Sequence, residues 1–163
     1  MAGEKCPVLY LLHGYGGNAG TWLGIKPELP QIADKEGIIF VCPDGKNSWY
    51  WDSPLNKEYR YETFVSKELV NYIDKNFTTK VERGGRAITG LSMGGHGSLW
   101  LSIRHKDVFG GGGSMSGGLD IRPFPNNWEM KKQLGEEASN KQRWDEHTVI
   151  NQLDKIKMVI WLL

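Results

Sequence analysis

Along the chain, short unbroken apolar runs alternate with stretches whose apolar residues recur every three or four positions. Pro7 to Leu12 and Ile38 to Cys42 are continuous runs of strand length, and Lys157-Met158-Val159-Ile160-Trp161-Leu162-Leu163 restarts the pattern at the far end. Runs without polar alternation predict strands of a parallel sheet covered on both faces. Between them, Leu29 to Lys35 predicts a short helix, and Gly37 stands at a helix-terminating position. A longer helix is expected over about Arg60 to Asn76, with Tyr61, Val65, Leu69, Tyr72 and Ile73 as the stripe facing the sheet. From Ile121 to about Asp154 the composition turns polar, and Trp128 and Trp144 are its main large apolar anchors. This segment, 121–154, reads as two helices forming a cap-like insertion within a single domain, 1–163.

The candidate chemistry lies where a strand pattern passes abruptly into a helical one. Arg86-Ala87-Ile88-Thr89 ends a short buried strand, Gly90-Leu91-Ser92-Met93-Gly94 follows, and Gly95 to Ile103 can continue as a helix. Strand, sharp turn and helix around a serine form the context of a nucleophile elbow. The two glycines fit that reading, because a serine in a strained turn needs neighbours without a Cβ to collide with strand or helix. A helix starting there also points free N–H groups and its positive dipole end at the serine, which favours an anionic intermediate. Upstream, the run at Pro7 empties into His13-Gly14-Tyr15-Gly16-Gly17-Asn18, a glycine loop able to supply a second oxyanion donor. Taken alone, the elbow is equally readable as a tight packing corner; the second element is what favours an acyl-transferring serine site.

Composition narrows the rest. With 163 residues and 18.4 kDa the chain is one domain by length. A net charge of +1 from scattered basic residues gives no electrostatic footprint for nucleic acid or an anionic membrane. No apolar run is long enough to span a bilayer, and the first residues lack the apolar core of a signal peptide, so a soluble chain is expected with its compartment unassigned. Cys6 and Cys42 fall at opposite ends of neighbouring strands, roughly 15 Å or more apart, and are not expected to bridge. The four histidines are isolated, so neither a metal nor another cofactor is expected.

Leu11-Leu12-His13-Gly14-Tyr15-Gly16-Gly17, Pro43-Asp44-Gly45, Tyr72-Ile73-Asp74-Lys75-Asn76-Phe77 and Gly90-Leu91-Ser92-Met93-Gly94-Gly95 occur in the order found in one α/β-hydrolase family. The chain resembles the esterases that include esterase D, tributyrin esterases, feruloyl esterases and the mycolyltransferases. Asn47-Ser48-Trp49-Tyr50-Trp51-Asp52-Ser53 and Asp120-Ile121-Arg122-Pro123 look most like the feruloyl esterase branch. The resemblance implies a three-layer α/β sandwich with a mostly parallel, shortened sheet of about five strands. It places a further strand at Gly111 to Met115, through Ser114-Met115-Ser116-Gly117. It also implies Ser92 as nucleophile, the backbone N–H groups of Tyr15 and Met93 as oxyanion hole, and a feruloyl, other acylated-carbohydrate or short-chain ester as substrate.

Two expectations follow from what the family pattern adds at either end. The family's triad acid and histidine lie beyond the strand at Lys157, and two further strands precede the one at Pro7. The chain therefore reads as truncated at both ends, weak or inactive by itself, and prone to form a homo-oligomer through bare strand edges. His147 in the cap is the surrogate base with the reach for Ser92, although no acid is obviously placed to orient it. Trp49, Tyr50 and Trp51 read equally as a substrate platform after a strand end or as core anchors. Asp52 faces the site or caps a turn, and Trp128 carries the same two readings as the aromatic cluster, with packing under the cap favoured. Acyl transfer by the same residues, or a non-catalytic carbohydrate-binding remnant, stand as alternatives.

Overall fold

In the computed structural model, the described residues are 3–156 and, for their backbone, 159–162. Five strands form one parallel sheet in the order β2-β1-β3-β4-β5: β1 Val8–Leu12, β2 Ile39–Val41, β3 Arg86–Gly90, β4 Gly111–Ser114 and β5 Val159–Leu162. Lys157, Met158 and Leu163, the remainder of the apolar run expected to make the last strand, lie outside the described residues. Val8, Tyr10, Leu11 and Leu12 are all buried, as an unbroken apolar run demands of a strand paired on both sides. The chain steps from β1 outward to β2, then returns past β1 to β3 and proceeds outward on the other side. The strand order thus reverses between β1 and β3, and their carboxyl ends open the crevice where open α/β sheets bind ligands.

Helices α1 (Thr21–Ile25) and α2 (Leu29–Glu36) fill the first crossover, and Gly37 ends α2 in the left-handed conformation at φ 65°. The long helix begins as α3 (Tyr61–Thr63), passes through a π-helical stretch at Phe64–Leu69, and ends as α4 (Val70–Asn76). Val65 and Ile73 of the expected stripe are buried and Leu69 packs against the core, whereas Tyr72 departs from it. The wider turn of the π-helical stretch buries Val65 and then Val70, five residues on, and rotates Tyr72 out to 60% exposure. Helix α5 (Met93–Arg104) runs under β1, β3 and β4 and is buried nearly throughout, so it carries the elbow on a rigid base. Between β4 and β5 lie α6 (Met130–Leu134), α7 (Lys141–Glu146) and two 3-10 turns, at Glu137–Ser139 and Val149–Lys155. Met130, Leu134, Trp144 and Val149 from this segment belong to the same apolar core as the sheet. Cys6 and Cys42 are both free thiols.

Candidate active site

Ser92 occupies the junction of β3 and α5 with φ 55° and ψ −115°, a conformation costly for any residue bearing a Cβ. The neighbouring strands hold it there. The Ser92 N–H donates to the Met115 carbonyl at 2.9 Å, the Leu91 N–H to the Leu12 carbonyl at 3.2 Å, and the Met115 N–H to the Gly90 carbonyl at 2.9 Å. A Cβ on Gly90 would strike the Gly94 backbone, and one on Gly94 would strike the carbonyl of Leu12. Both glycines are therefore demanded by backbone approach, and the outcome is a solvent-exposed serine at the N-terminus of a twelve-residue helix.

The glycine loop after β1 runs against this serine: a Cβ on Gly14 would lie 3.4 Å from that of Ser92. Among the described residues, the backbone N–H groups of Tyr15 and Met93 have no protein acceptor and remain available to a ligand. A cavity of about 240 Å³ opens at this point, lined by Ser92, Tyr15, Trp49, Ile121, Phe124, Trp128 and Met130, with the Ser116-Gly117-Gly118 turn and Asp120 at its side. Its walls are mainly apolar and aromatic, with Ser92 and Tyr15 among them, and Met93, the residue after Ser92, is buried at the start of α5. Such an arrangement can bind a carbonyl compound and stabilise negative charge developing on its oxygen.

The tryptophans divide. Trp49 lines the cavity, stacks on Trp51 at 5.7 Å and donates its indole N–H to the Trp128 carbonyl at 3.2 Å. Trp51 is fully buried and donates its indole N–H to His96 Nε2 at 2.9 Å, so it supports the wall without facing the cavity. Tyr50 is core as well, its hydroxyl donating to the His13 carbonyl at 3.0 Å. Asp52 accepts from the Thr63 N–H at 3.0 Å and its hydroxyl at 2.5 Å, and pairs with Arg60 at 3.2 Å; it fastens the start of the long helix. Trp128 is 41% exposed and lines the cavity beside Phe124, against the favoured expectation of packing; the fully buried indole of the 121–154 segment is that of Trp144.

None of the four imidazoles, all within the described residues, lines the cavity. His13 is buried, its Nε2 accepting from the Gly45 N–H at 2.9 Å and its Nδ1 bonded to the Gly14 carbonyl at 2.7 Å. His96 accepts from Trp51 and bonds the Gly118 carbonyl at 2.8 Å, and complete burial pushes its pKa down to about 4. His105 pairs with Glu62 at 2.8 Å. His147 stacks on Trp100 at 5.1 Å and binds the Arg143 carbonyl at 2.7 Å through Nδ1, and burial lowers its pKa. The segment carrying it is anchored by Trp144, Thr148 and Val149, so the freedom expected of a surrogate base is absent.

Asn47 and Glu129 take part in a way the sequence did not signal. The Gly16 N–H donates to Asn47 Oδ1 at 2.8 Å, and Glu129 Oε2 accepts from the Tyr15 hydroxyl at 3.0 Å and from Asn47 Nδ2 at 3.3 Å. The glycine loop is thereby tied to the segment that leads into α6. Among the described residues, no group of histidine, cysteine, aspartate and glutamate could hold a metal ion, and no helix is long and apolar enough to cross a membrane.

The family described as "Putative esterase" matches residues 1–158. The chain belongs to that esterase family. An esterase of Mycobacterium tuberculosis, Rv1288, is 34% identical over 128 residues, covering 74% of this chain and 27% of its own length. An endo-1,4-beta-xylanase/feruloyl esterase of Xylanibacter ruminicola is 34% identical over 124 residues, covering 71% of this chain and 17% of its own. Among solved structures, a ferulic acid esterase superposes with a TM-score of 0.68 at 29% identity, over 93% of this chain and 61% of that one. The chain thus spans less than a third of the length of either of these curated relatives.

Proposed function

We propose that this chain carries the nucleophile and oxyanion site of a serine carboxylic ester hydrolase, acting on esters with a bulky or aromatic acyl group. The observation that carries the reading is an exposed serine, held at positive φ at the strand-order reversal and lining an aromatic cavity together with Tyr15 of the glycine loop. Ser92 Oγ attacks the ester carbonyl carbon, and its proton passes to a base. The N–H groups of Tyr15 and Met93 receive the oxyanion, the alcohol departs with a proton as the tetrahedral adduct collapses, and water then releases the acid. Trp49, Phe124 and Trp128 hold the acyl group, a reading supported by the feruloyl esterase among the relatives and the ferulic acid esterase among the structures.

With every imidazole engaged elsewhere, turnover by these residues alone is expected to be low, leaving on the order of a thousand- to ten-thousand-fold over water from the oxyanion hole and binding. The test is hydrolysis of p-nitrophenyl acetate and of methyl ferulate beside Ser92→Ala, with intact-mass detection of the acyl-enzyme. A slow, Ser92-dependent rate with an acyl adduct on Ser92 is expected. Equal rates in both proteins overturn the assignment of the nucleophile, and a fast rate overturns the low turnover. Self-association through the edge strands β2 and β5 belongs to the same reading; a monodisperse monomer in light scattering would count against it.

A further inference from the structure

We propose that Glu129 is a positioning residue for ester hydrolysis: its carboxylate, reaching over from the segment between β4 and β5, sets the glycine loop so that the Tyr15 N–H meets the oxyanion. The proposal rests on the reading of Ser92 and Tyr15 given above. A single wall divides the aromatic cavity from an open groove of about 500 Å³. Tyr15, Trp128 and Met130 face the cavity, whereas Gly16, Asn47 and Glu129 face the groove. Within that wall one carboxylate oxygen holds the loop by two routes. Glu129 Oε2 accepts from the Tyr15 hydroxyl at 3.0 Å and from Asn47 Nδ2 at 3.3 Å, and Asn47 Oδ1 accepts in turn from the Gly16 N–H at 2.8 Å. The other oxygen, Oε1, accepts from Lys132. The side chain of the proposed donor residue and the backbone of the residue after it are thus tied to one point.

The loop needs such a tie at its outer end. The inner end is fixed close to β1, where the Gly14 carbonyl accepts from the Gly17 N–H at 3.0 Å and bonds His13 Nδ1 at 2.7 Å. Further out, packing gives little hold: Tyr15 is 38% exposed, and a Cβ on Gly16 would meet nothing within 4 Å. Hydrogen bonds must therefore set the position, and those accepted by a carboxylate are roughly twice as strong as neutral ones. Hydrogen bonds from Lys132, Tyr15 and Asn47 hold the Glu129 carboxyl below its ordinary pKa, which keeps it ionised at neutral pH. Glu129 itself stands in left-handed backbone at φ 57°, a conformation that persists only where surrounding contacts dictate it. Trp128 and Met130, on either side of it, line the acyl cavity and serve binding of the ester. The oxyanion contact, by contrast, strengthens only as the carbonyl oxygen gains charge, so loss of the tie slows the chemical step and leaves ester binding alone.

The test is single-turnover acylation of Ser92 by p-nitrophenyl acetate and p-nitrophenyl ferulate, followed by intact mass. It yields a limiting rate constant and a half-saturating concentration for wild type, Glu129→Ala, Glu129→Gln, Tyr15→Phe and the Tyr15→Phe/Glu129→Ala double variant. Both side chains are more than a third exposed, so these replacements leave the core closed, and unchanged melting verifies it. Glu129→Ala should lower the limiting rate about tenfold for both esters, the worth of one hydrogen bond to a charged group, with half-saturation unchanged. Glu129→Gln keeps an acceptor oxygen and should recover part of the rate. The double variant should be no slower than Glu129→Ala, because both substitutions break the same tie. In Glu129→Ala the 15N order parameters of Tyr15 and Gly16 should fall. A wild-type limiting rate in Glu129→Ala, a loss confined to half-saturation, losses that multiply in the double variant, or unchanged order parameters overturns the proposal. The two readings fail separately. Wild type that is not acylated at Ser92 removes the nucleophile and with it the oxyanion role of Glu129, whereas equal acylation of wild type and Glu129→Ala removes the role of Glu129 alone.

Discussion

Replacing Gly94 by alanine tests whether the elbow and the glycine loop form one device. The new Cβ would lie 2.7 Å from the His13 carbonyl oxygen and from the Leu12 carbonyl carbon, and nearer still to the Leu12 oxygen. Ordinary contact begins near 3.4 Å, so the N-terminus of α5 and the end of β1 must part by about 0.7 Å or more. Both obstacles are backbone, and no flexible side chain can yield. Overpacking of this kind costs about 1–3 kcal/mol, or roughly 3–10 °C in Tm for a chain of this length. The same displacement separates Met93 from Tyr15, the two proposed donors, and misplacement near 1 Å costs on the order of a hundredfold in rate. The assay is the rate of Ser92 acylation by p-nitrophenyl acetate, read by intact mass below the melting range, with Tm measured in parallel. Gly24→Ala is the control: it lies in α1, a Cβ there meets nothing within 4 Å, and a gain of about 0.5–1 kcal/mol is expected. Gly94→Ala with wild-type melting and wild-type acylation would refute the argument that this close approach builds the site.

Glu62 is buried and accepts from the Trp100 indole at 3.0 Å, Arg104 at 2.8 Å and His105 at 2.8 Å, fastening the long helix to the helix that carries Ser92. Glu62→Ala should cost about 3 kcal/mol in urea unfolding, the low end for breaking a buried pair because Arg104 and His105 remain partly exposed. Burial alone would raise the Glu62 carboxyl, but hydrogen bonds from His105 and Arg104 outweigh it and hold the pKa below its ordinary value. The stability it contributes is therefore present above the unfolded pKa and lost as pH falls through the folded one. His96 acts in a higher window: with its pKa near 4 in the fold, the unfolded chain binds the extra proton first, so stability falls as pH drops from about 6.5 toward 4, by up to about 3 kcal/mol. Unfolding midpoints at pH 7, 5.5 and 4.5 check this, and a flat profile across that range contradicts it. Asn47→Ala removes the acceptor of the Gly16 N–H, worth about 1 kcal/mol locally. It should lower the 15N order parameters of Tyr15 to Gly17 while leaving those of β1 unchanged.

The parts of the site that depend on backbone approach were legible in the sequence. Gly90, Gly94 and the apolar run before His13 each state a local necessity: two glycines for a serine in a strained turn, and an unbroken run for a strand paired on both sides. The long helix was legible in extent and only partly in facing. A π-helical stretch leaves no mark in residue types; Val65 and Ile73 are buried as expected, but it adds Val70 to the buried face and turns Tyr72 out. The loop from Trp49 to Asp52 was legible only as aromatic. One indole reaches the cavity and the other the core because the backbone turns at Trp49 and Tyr50 with φ of 57° and 60°, values that no propensity assigns to such side chains.

That last point extends beyond one loop. Among the described residues, the non-glycine positions with positive φ are Lys46, Trp49, Tyr50, Ser92, Ser116, Trp128 and Glu129. Trp49, Ser92, Ser116 and Trp128 line the aromatic cavity, and Lys46 and Glu129 line the groove beside it. Tyr50, the exception, is locked in the core between Gly45 and Gly97, either of which would collide with its ring if it carried a Cβ. Left-handed backbone costs a residue with a Cβ about 1–3 kcal/mol and persists only where surrounding contacts dictate it. Strand pairing dictates it at Ser92, and the Glu129 carboxylate, held by Tyr15 and Asn47, anchors it across the wall. Local sequence preference and the observed backbone therefore disagree chiefly around these two openings. The conflict that hid Trp128 and Glu129 from the sequence is thus concentrated in the walls of these openings.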